Sequence, residues 1–231
     1  MIEIKTICSK SRLGSVNCYL IETDAGFILV DTGYSTSRPV LEHELESEGC
    51  SPGNLRLIIL THGDLDHTGN CAYLQEKYRA PVAMHVGDSG MVKGGDMSYG
   101  RKPNFILAML LKRMPLLFRT ISLFDRSSGY EGFKPDVLVD EGFDLTKYGL
   151  KASVICLPGH SSGSIGILTQ AGDLFCGDLL TNTGKPMINS IMDDRAAASA
   201  SLEKLKGSRL RTIYPGHGDP FPIDKLRVIF T

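Results

Sequence analysis

A chain of 231 residues with 42% hydrophobic and 22% charged residues has the composition of an ordinary globular protein and can bury a sizeable core. Its net charge of -1, from 25 basic and 26 acidic residues, provides no global field for recruiting nucleic acid or anionic lipid. Its six cysteines form no close-spaced pairs, which fits a reducing compartment better than a disulfide framework. The opening MIEIKTICSK lacks the basic segment and long apolar run of a signal peptide. No stretch approaches the ~20 apolar residues of a membrane span, so the expectation is a cytoplasmic protein with neither a membrane span nor a nucleic-acid partner.

The first third reads as three strands, over 2–8, 16–23 and 26–31, forming a meander with a turn at Asp24 and Ala25. A helix is expected over 39–48, then a buried strand in RLIIL at 56–60. The stretch THGDLDHTGN follows at 61–70, with Thr68 and Gly69 opening a helix that runs to Tyr78, and then a strand PVAMH ending at His85. The pattern changes over 87–132, where glycine-rich GMVKGGDMSYG precedes a long apolar stretch that Pro115 should stop or kink. Strands resume over 136–139, 150–157, 164–169 and 173–176, before a helix over 196–205 and a strand over 211–214. Strands first and then strand-loop-helix, twice over, suggest two packed sheets with helices outside.

THGDLDHTGN places His62, Asp64, Asp66 and His67 within six residues. Residues two apart at a strand end can face the same way, so His62 and Asp64 can share one ion while Asp66 and His67 turn toward a second. Imidazole and carboxylate suit zinc, and also iron and manganese. The bland alternative is a solvated turn with a helix-capping aspartate. Three later motifs each end a strand with a further candidate: LPGHSSGSIG offers His160, LFCGDLLTN offers Asp178 and IYPGHGD offers His217. A glycine precedes each one, allowing a tight turn that faces the side chain inward. Four of the six histidines fall in these motifs.

From DTG at Asp31 to PGHG at His217, the chain resembles the metallo-β-lactamase superfamily of hydrolases. The resemblance implies an α+β fold, a four-layer αββα sandwich of two mixed β-sheets, forming a single domain over 1–231 with a helical insertion at about 87–132. It implies a dinuclear site with His62, residue 64 and His160 on one metal, Asp66, His67 and His217 on the other, and Asp178 bridging. Asp31 matches the family's early aspartate, which supports the loops without binding metal.

One position departs, because the second histidine of the His-x-His-x-Asp-His signature is Asp64 here. With Asp64, Asp66, Asp178 and a bridging hydroxide against two divalent ions, the ligand set sums to zero, where a histidine would leave one positive unit. A less positive centre polarises water less and favours harder ions, so iron or manganese competes with zinc as the native pair. Flavodiiron oxygen and nitric oxide reductases, similar in this region, carry a glutamate there.

The reading that follows is a metal-dependent hydrolase in which a bridging hydroxide attacks an ester, thioester or lactone carbonyl, with Asp66 orienting the nucleophile and moving its proton. The rival is an iron-dependent redox enzyme, either a flavodiiron-like oxygen or nitric oxide reductase module or a relative of persulfide dioxygenases. Of the remaining candidates, His85 reads as a structural histidine and His43 as solvent-exposed. Ser161, Ser162 and Ser164 lack a GxSxG elbow. The apolar run at 105–118, with Phe105, Leu107, Met109, Leu110 and Leu111, is either a pocket wall for a substrate with an apolar portion or a packing face, on the domain or in a homodimer.

Overall fold

The computed structural model of the protein describes residues 3–11, 14–101 and 131–226. Strands β1 (Glu3–Ser11), β2 (Gly14–Thr23) and β3 (Gly26–Val30) form the expected antiparallel meander, turning at Asp24 and Ala25. The chain continues through α1 (Arg38–Ser47), β4 (Leu55–Ile59), α2 (Leu65–Thr68), α3 (Cys71–Tyr78), β5 (Val82–His85), α4 (Val86–Gly94) and β6 (Val137–Val139). Strands β4, β5 and β6 add in parallel to β3, giving one mixed sheet in the order β1-β2-β3-β4-β5-β6.

The second sheet is built from β7 (Ala152–Cys156), β8 (Ile165–Thr169), β9 (Asp173–Asn182), β10 (Met187–Ile188), β11 (Thr212–Gly218) and β12 (Phe221–Pro222), with α5 (Arg195–Lys206) between β10 and β11. Its order is β12-β11-β9-β8-β7, with β10 against β9; the β9–β11 pair is parallel and the others are antiparallel.

Apolar residues run almost without a break along the central strands because both faces of the first sheet are covered, with successive side chains facing opposite cores. Cys18, Leu20, Leu29 and Ile58 point to a core shared with Leu41 and Leu45 of α1 and Leu74 and Tyr78 of α3. Tyr19, Ile21, Ile28, Val30, Leu57 and Ile59 point the other way, onto Val154, Ile165, Ile167 and Phe175 of the second sheet. The outer face of that sheet packs on Ala198, Leu202 and Leu205 of α5. Helices, sheet, sheet and helix therefore form four layers, as the resemblance implies. Fully burying one such aliphatic side chain contributes about 1.5–3 kcal/mol. Between the sheets, Phe175 stacks on Tyr214 at 4.8 Å and meets Tyr19 edge-on at 5.2 Å.

Three expectations are corrected. The helix expected to open at Thr68 and Gly69 begins instead at Cys71, and a separate short helix, α2, ends at Thr68. Asn70 divides the two by turning its amide to the carbonyls of Thr32 (2.7 Å) and Tyr34 (2.8 Å), which ties the junction to the loop after β3. Strand β9 does not stop at Cys176 but runs to Asn182, so Asp178 lies inside a strand, past a left-handed Gly177 (φ 51°). Likewise β11 continues through His217, with register shifts against β9 on both sides of Pro215. These irregularities turn side chains of continuous strands toward the site. The glycine-rich stretch GMVKGGDMSYG begins within α4 and leaves it after Gly94 in turns. Phe105, Leu107, Met109, Leu110 and Leu111 lie outside the described residues. Among the described residues, no helix is long and apolar enough to cross a membrane.

Candidate metal centre

Parallel strands expose their carboxyl ends at one edge, where open α/β sheets bind ligands. Asp31 follows β3, and 61–70 follows β4 at that edge. Asp31 adopts φ 59°, a left-handed conformation that aspartate tolerates better than most residues. Its carboxylate is buried and accepts from Thr61 N–H at 2.8 Å through Oδ1. Through Oδ2 it meets Thr61 Oγ1 and His67 Nδ1, each at 2.8 Å. Asp31 thus supports the loop, as the resemblance implies.

All four motif histidines are held by the same ring atom. His67 Nδ1 meets Asp31, His160 Nδ1 meets the Ile191 carbonyl at 2.8 Å, and His217 Nδ1 meets the Ser15 carbonyl at 2.6 Å. His62 Nδ1 lies 3.0 Å from Thr61 Oγ1. Because that hydroxyl donates to Asp31, it accepts from His62. Oxygen acceptors at every Nδ1 select the tautomer whose Nε2 bears a lone pair, and metal-binding histidines are oriented in this way.

The Nε2 atoms converge on three carboxylates. Asp64 Oδ2 lies 3.0 Å from His160 Nε2 and 3.6 Å from His62 Nε2. Asp66 Oδ2 lies 3.4 Å from His217 Nε2 and 3.8 Å from His67 Nε2. Asp178 reaches both sets, with Oδ1 at 3.4 Å from His67 and Oδ2 at 3.2 Å from His217 and 4.0 Å from His160. His62 with Asp64 and His160, and Asp66 with His67 and His217, each offer ligand atoms within 4.8 Å of one another. The structure therefore brings together all seven residues singled out from the sequence.

Metal ions suit this donor set. His62 Nε2, His67 Nε2 and Asp178 Oδ1 are buried without a hydrogen-bond partner, an arrangement that a cation would resolve. Electrostatics agree with a cation-seeking site. Burial alone would lower His67 and His217, but the carboxylates outweigh it. Asp66, Asp31 and Asp178 raise His67 well above its ordinary value, and Asp178 with Asp66 pushes His217 up to about 10. Burial would raise Asp178, yet His67, His217 and His160 hold it well below the usual carboxylate range.

The capping alternative for Asp64 is not what the loop does. Asp64 occupies the N-cap of α2, but its side chain makes no capping hydrogen bond and faces the histidines instead. The glycine before His217 has a steric role, since a Cβ on Gly216 would collide with Asp178 Oδ1 and lie 2.7 Å from His67 Cε1. His85 is structural, with Nδ1 accepting from Gly87 N–H at 3.0 Å to cap α4. His43 is exposed.

Three contributors were not singled out from the sequence. Asn189 donates to Asp178 Oδ2 at 3.1 Å. Asp88 is buried and accepts from Gly63 N–H (2.9 Å), Gly163 N–H (2.9 Å) and the Ser161 hydroxyl (2.6 Å), tying the loop of His62 to that of His160. Ser161 is thereby accounted for without a nucleophilic role. Arg101 donates to Asp64 Oδ1, to the His160 carbonyl at 2.6 Å and to Asp193 at 3.1 Å. A lone aspartate or arginine in a glycine-rich stretch carries no signal of such contacts.

Comparison with known proteins agrees with this geometry. A probable metallo-hydrolase of Bacillus subtilis, YflN, is 26% identical over 88% of this chain and 81% of its own length. Hydroxyacylglutathione hydrolase 1 of Vibrio vulnificus is 27% identical over 75% of this chain, which spans 51% of that protein. Among solved structures, the metallo-beta-lactamase family protein TTHA1429 from Thermus thermophilus superposes with a TM-score of 0.75 at 24% identity, covering 98% of this chain and 77% of its own. TTHA1623, solved in a di-iron-bound form, gives 0.66 at 25% identity over 94% of both chains. The metallo-beta-lactamase superfamily profile matches residues 11–217, and the chain belongs to that superfamily.

Proposed function

We propose that the protein is a hydrolase that holds two divalent ions, one by His62, Asp64 and His160 and one by Asp66, His67 and His217, with Asp178 shared. The observation that carries this reading is the common tautomer of four histidines, each tied at Nδ1 and turned at Nε2 toward three carboxylates. Bound there, the ions would supply Lewis-acid polarisation of a carbonyl oxygen and acidification of water. The chain's own residues do the rest. To Asp66, less buried than Asp178, this reading assigns the orienting of an attacking water and the transfer of its proton. Asn189 restrains Asp178 Oδ2, and Asp31 fixes His67.

The substrate class that this supports is an activated carbonyl: an ester, thioester or lactone. The relative named hydroxyacylglutathione hydrolase favours the thioester. Imidazole and carboxylate ligands favour zinc, whereas the di-iron form of TTHA1623 supports iron as the competing occupant and an iron-dependent redox activity as the second reading. Anaerobically purified protein should contain two metal ions per chain and hydrolyse a member of a thioester, ester and lactone panel. Oxygen consumption or nitric oxide reduction with an iron-loaded centre, and no hydrolysis across the panel, would replace the hydrolase reading.

A further inference from the structure

Asp64 places a carboxylate where the superfamily signature has a neutral imidazole, and this alone would strip one positive unit from the centre. The structure also places a countercharge there. The Arg101 guanidinium lies against the far side of Asp64, with Nη2 donating to Oδ1. Its Nη1 is anchored by the His160 carbonyl at 2.6 Å and by Asp193 Oδ2 at 3.1 Å. Arg101 is therefore tied to two members of the His62–Asp64–His160 set, one through its side chain and one through its backbone. Its side chain is only 16% exposed, so water screens its charge weakly.

This contact divides the two oxygens of Asp64. Oδ1 is taken by the arginine, while Oδ2 remains aimed at His160 Nε2 (3.0 Å) and His62 Nε2 (3.6 Å). A carboxylate held in this way offers one donor atom, as an imidazole does. The adjacent guanidinium, which stays charged throughout the accessible pH range, lies directly against Asp64 while Asp193 meets its other nitrogen, so it offsets part of the charge that the carboxylate removed.

We propose that Arg101 is a positioning residue that makes Asp64 serve as a single-donor, partly charge-compensated substitute for the signature histidine, keeping the centre electropositive enough to take an anionic ligand or product. The proposal rests on the two-metal reading above. It also separates this site from one that simply gained a carboxylate, because Asp64 and Arg101 act as a unit.

The test is azide binding to cobalt-loaded protein, followed by the visible spectrum of the metal and preceded by metal analysis of each variant. Arg101→Met should keep its metal but bind azide about fivefold or more weakly, because one poorly screened positive charge has gone. Asp64→His alone should bind it more tightly than wild type. The double variant Asp64→His/Arg101→Met should return to within about twofold of wild type, because an imidazole needs no countercharge. A purely structural Arg101 would leave the double variant as weak as Arg101→Met, and that result overturns the proposal. Unchanged azide affinity in Arg101→Met, or no azide binding by the loaded wild type, also overturns it. If Arg101→Met does not fold, Arg101→Gln keeps donors for the His160 carbonyl without the charge and carries the same expectation. A wild type holding fewer than two ions per chain defeats the two-metal reading instead, and the proposal falls with it.

Discussion

Asp31 Oδ2 and His67 Nδ1 lie 2.8 Å apart across thirty-six residues of sequence, both buried, and Asp31 also binds the backbone and hydroxyl of Thr61. One carboxylate thereby sets two histidines, His67 directly and His62 through the Thr61 hydroxyl. Asp31→Asn separates this role from bulk, because asparagine tolerates the φ of 59° and has nearly the same shape. Its amide must turn N–H donors toward either Thr61 N–H or His67 Nδ1. The second arrangement moves the His67 proton to Nε2, where it blocks a metal. Zinc affinity measured by chelator competition should fall about 10–100-fold. Wild-type affinity in the variant would show that the contact does not set the tautomer.

Metal uptake should expel protons above neutral pH. The His217 imidazole, which burial alone would lower, is pushed up to about 10 by Asp178 and Asp66, so in metal-free protein it is still protonated at pH 8. A raised histidine pKa extends proton competition upward. Apparent zinc affinity should therefore rise with pH toward about 10, by roughly tenfold per unit for each proton displaced. Calorimetry at pH 8 in buffers of different ionisation enthalpy counts those protons. Binding heats that do not depend on the buffer would rule the effect out.

The ligand residues were legible because their chemistry is concentrated: four of six histidines follow apolar runs, and THGDLDH packs four metal-competent side chains into one turn. The near-continuous apolar runs of β2, β3 and β4 likewise made a sheet covered on both faces readable. What stayed hidden was set by tertiary geometry. Asp178 was expected after a strand but lies within one, because the turn at Gly177 is a backbone conformation that the composition does not reveal. The pairing of Arg101 with Asp64 spans thirty-seven residues, with no local pattern linking them, although the unbalanced charge of Asp64 was itself a reason to look for a partner. Asp88 was hidden for the same reason, lying in a helix whose sequence is glycine-rich.

Asp88 yields the last prediction. Its carboxylate accepts the N–H groups of Gly63 and Gly163 at 2.9 Å each, one beside His62 and the other three residues beyond His160, and it takes the Ser161 hydroxyl as well. It is thus the clamp between the loops that carry His62, Asp64 and His160, the three residues proposed to hold the first metal. Asp88→Ala would leave two backbone donors without their acceptor, at a cost of about 2–4 kcal/mol. In a chain of this size that corresponds to a fall in Tm of roughly 5–12 °C. Asp88→Asn keeps an acceptor for one of the N–H groups and should lose about half as much. The loss should also show in the Tm gain on adding zinc, which measures how well His62 and His160 are held in register. That gain should shrink in the order wild type, Asp88→Asn, Asp88→Ala. A variant that loses stability but keeps the full zinc increment would make Asp88 a support of the fold alone.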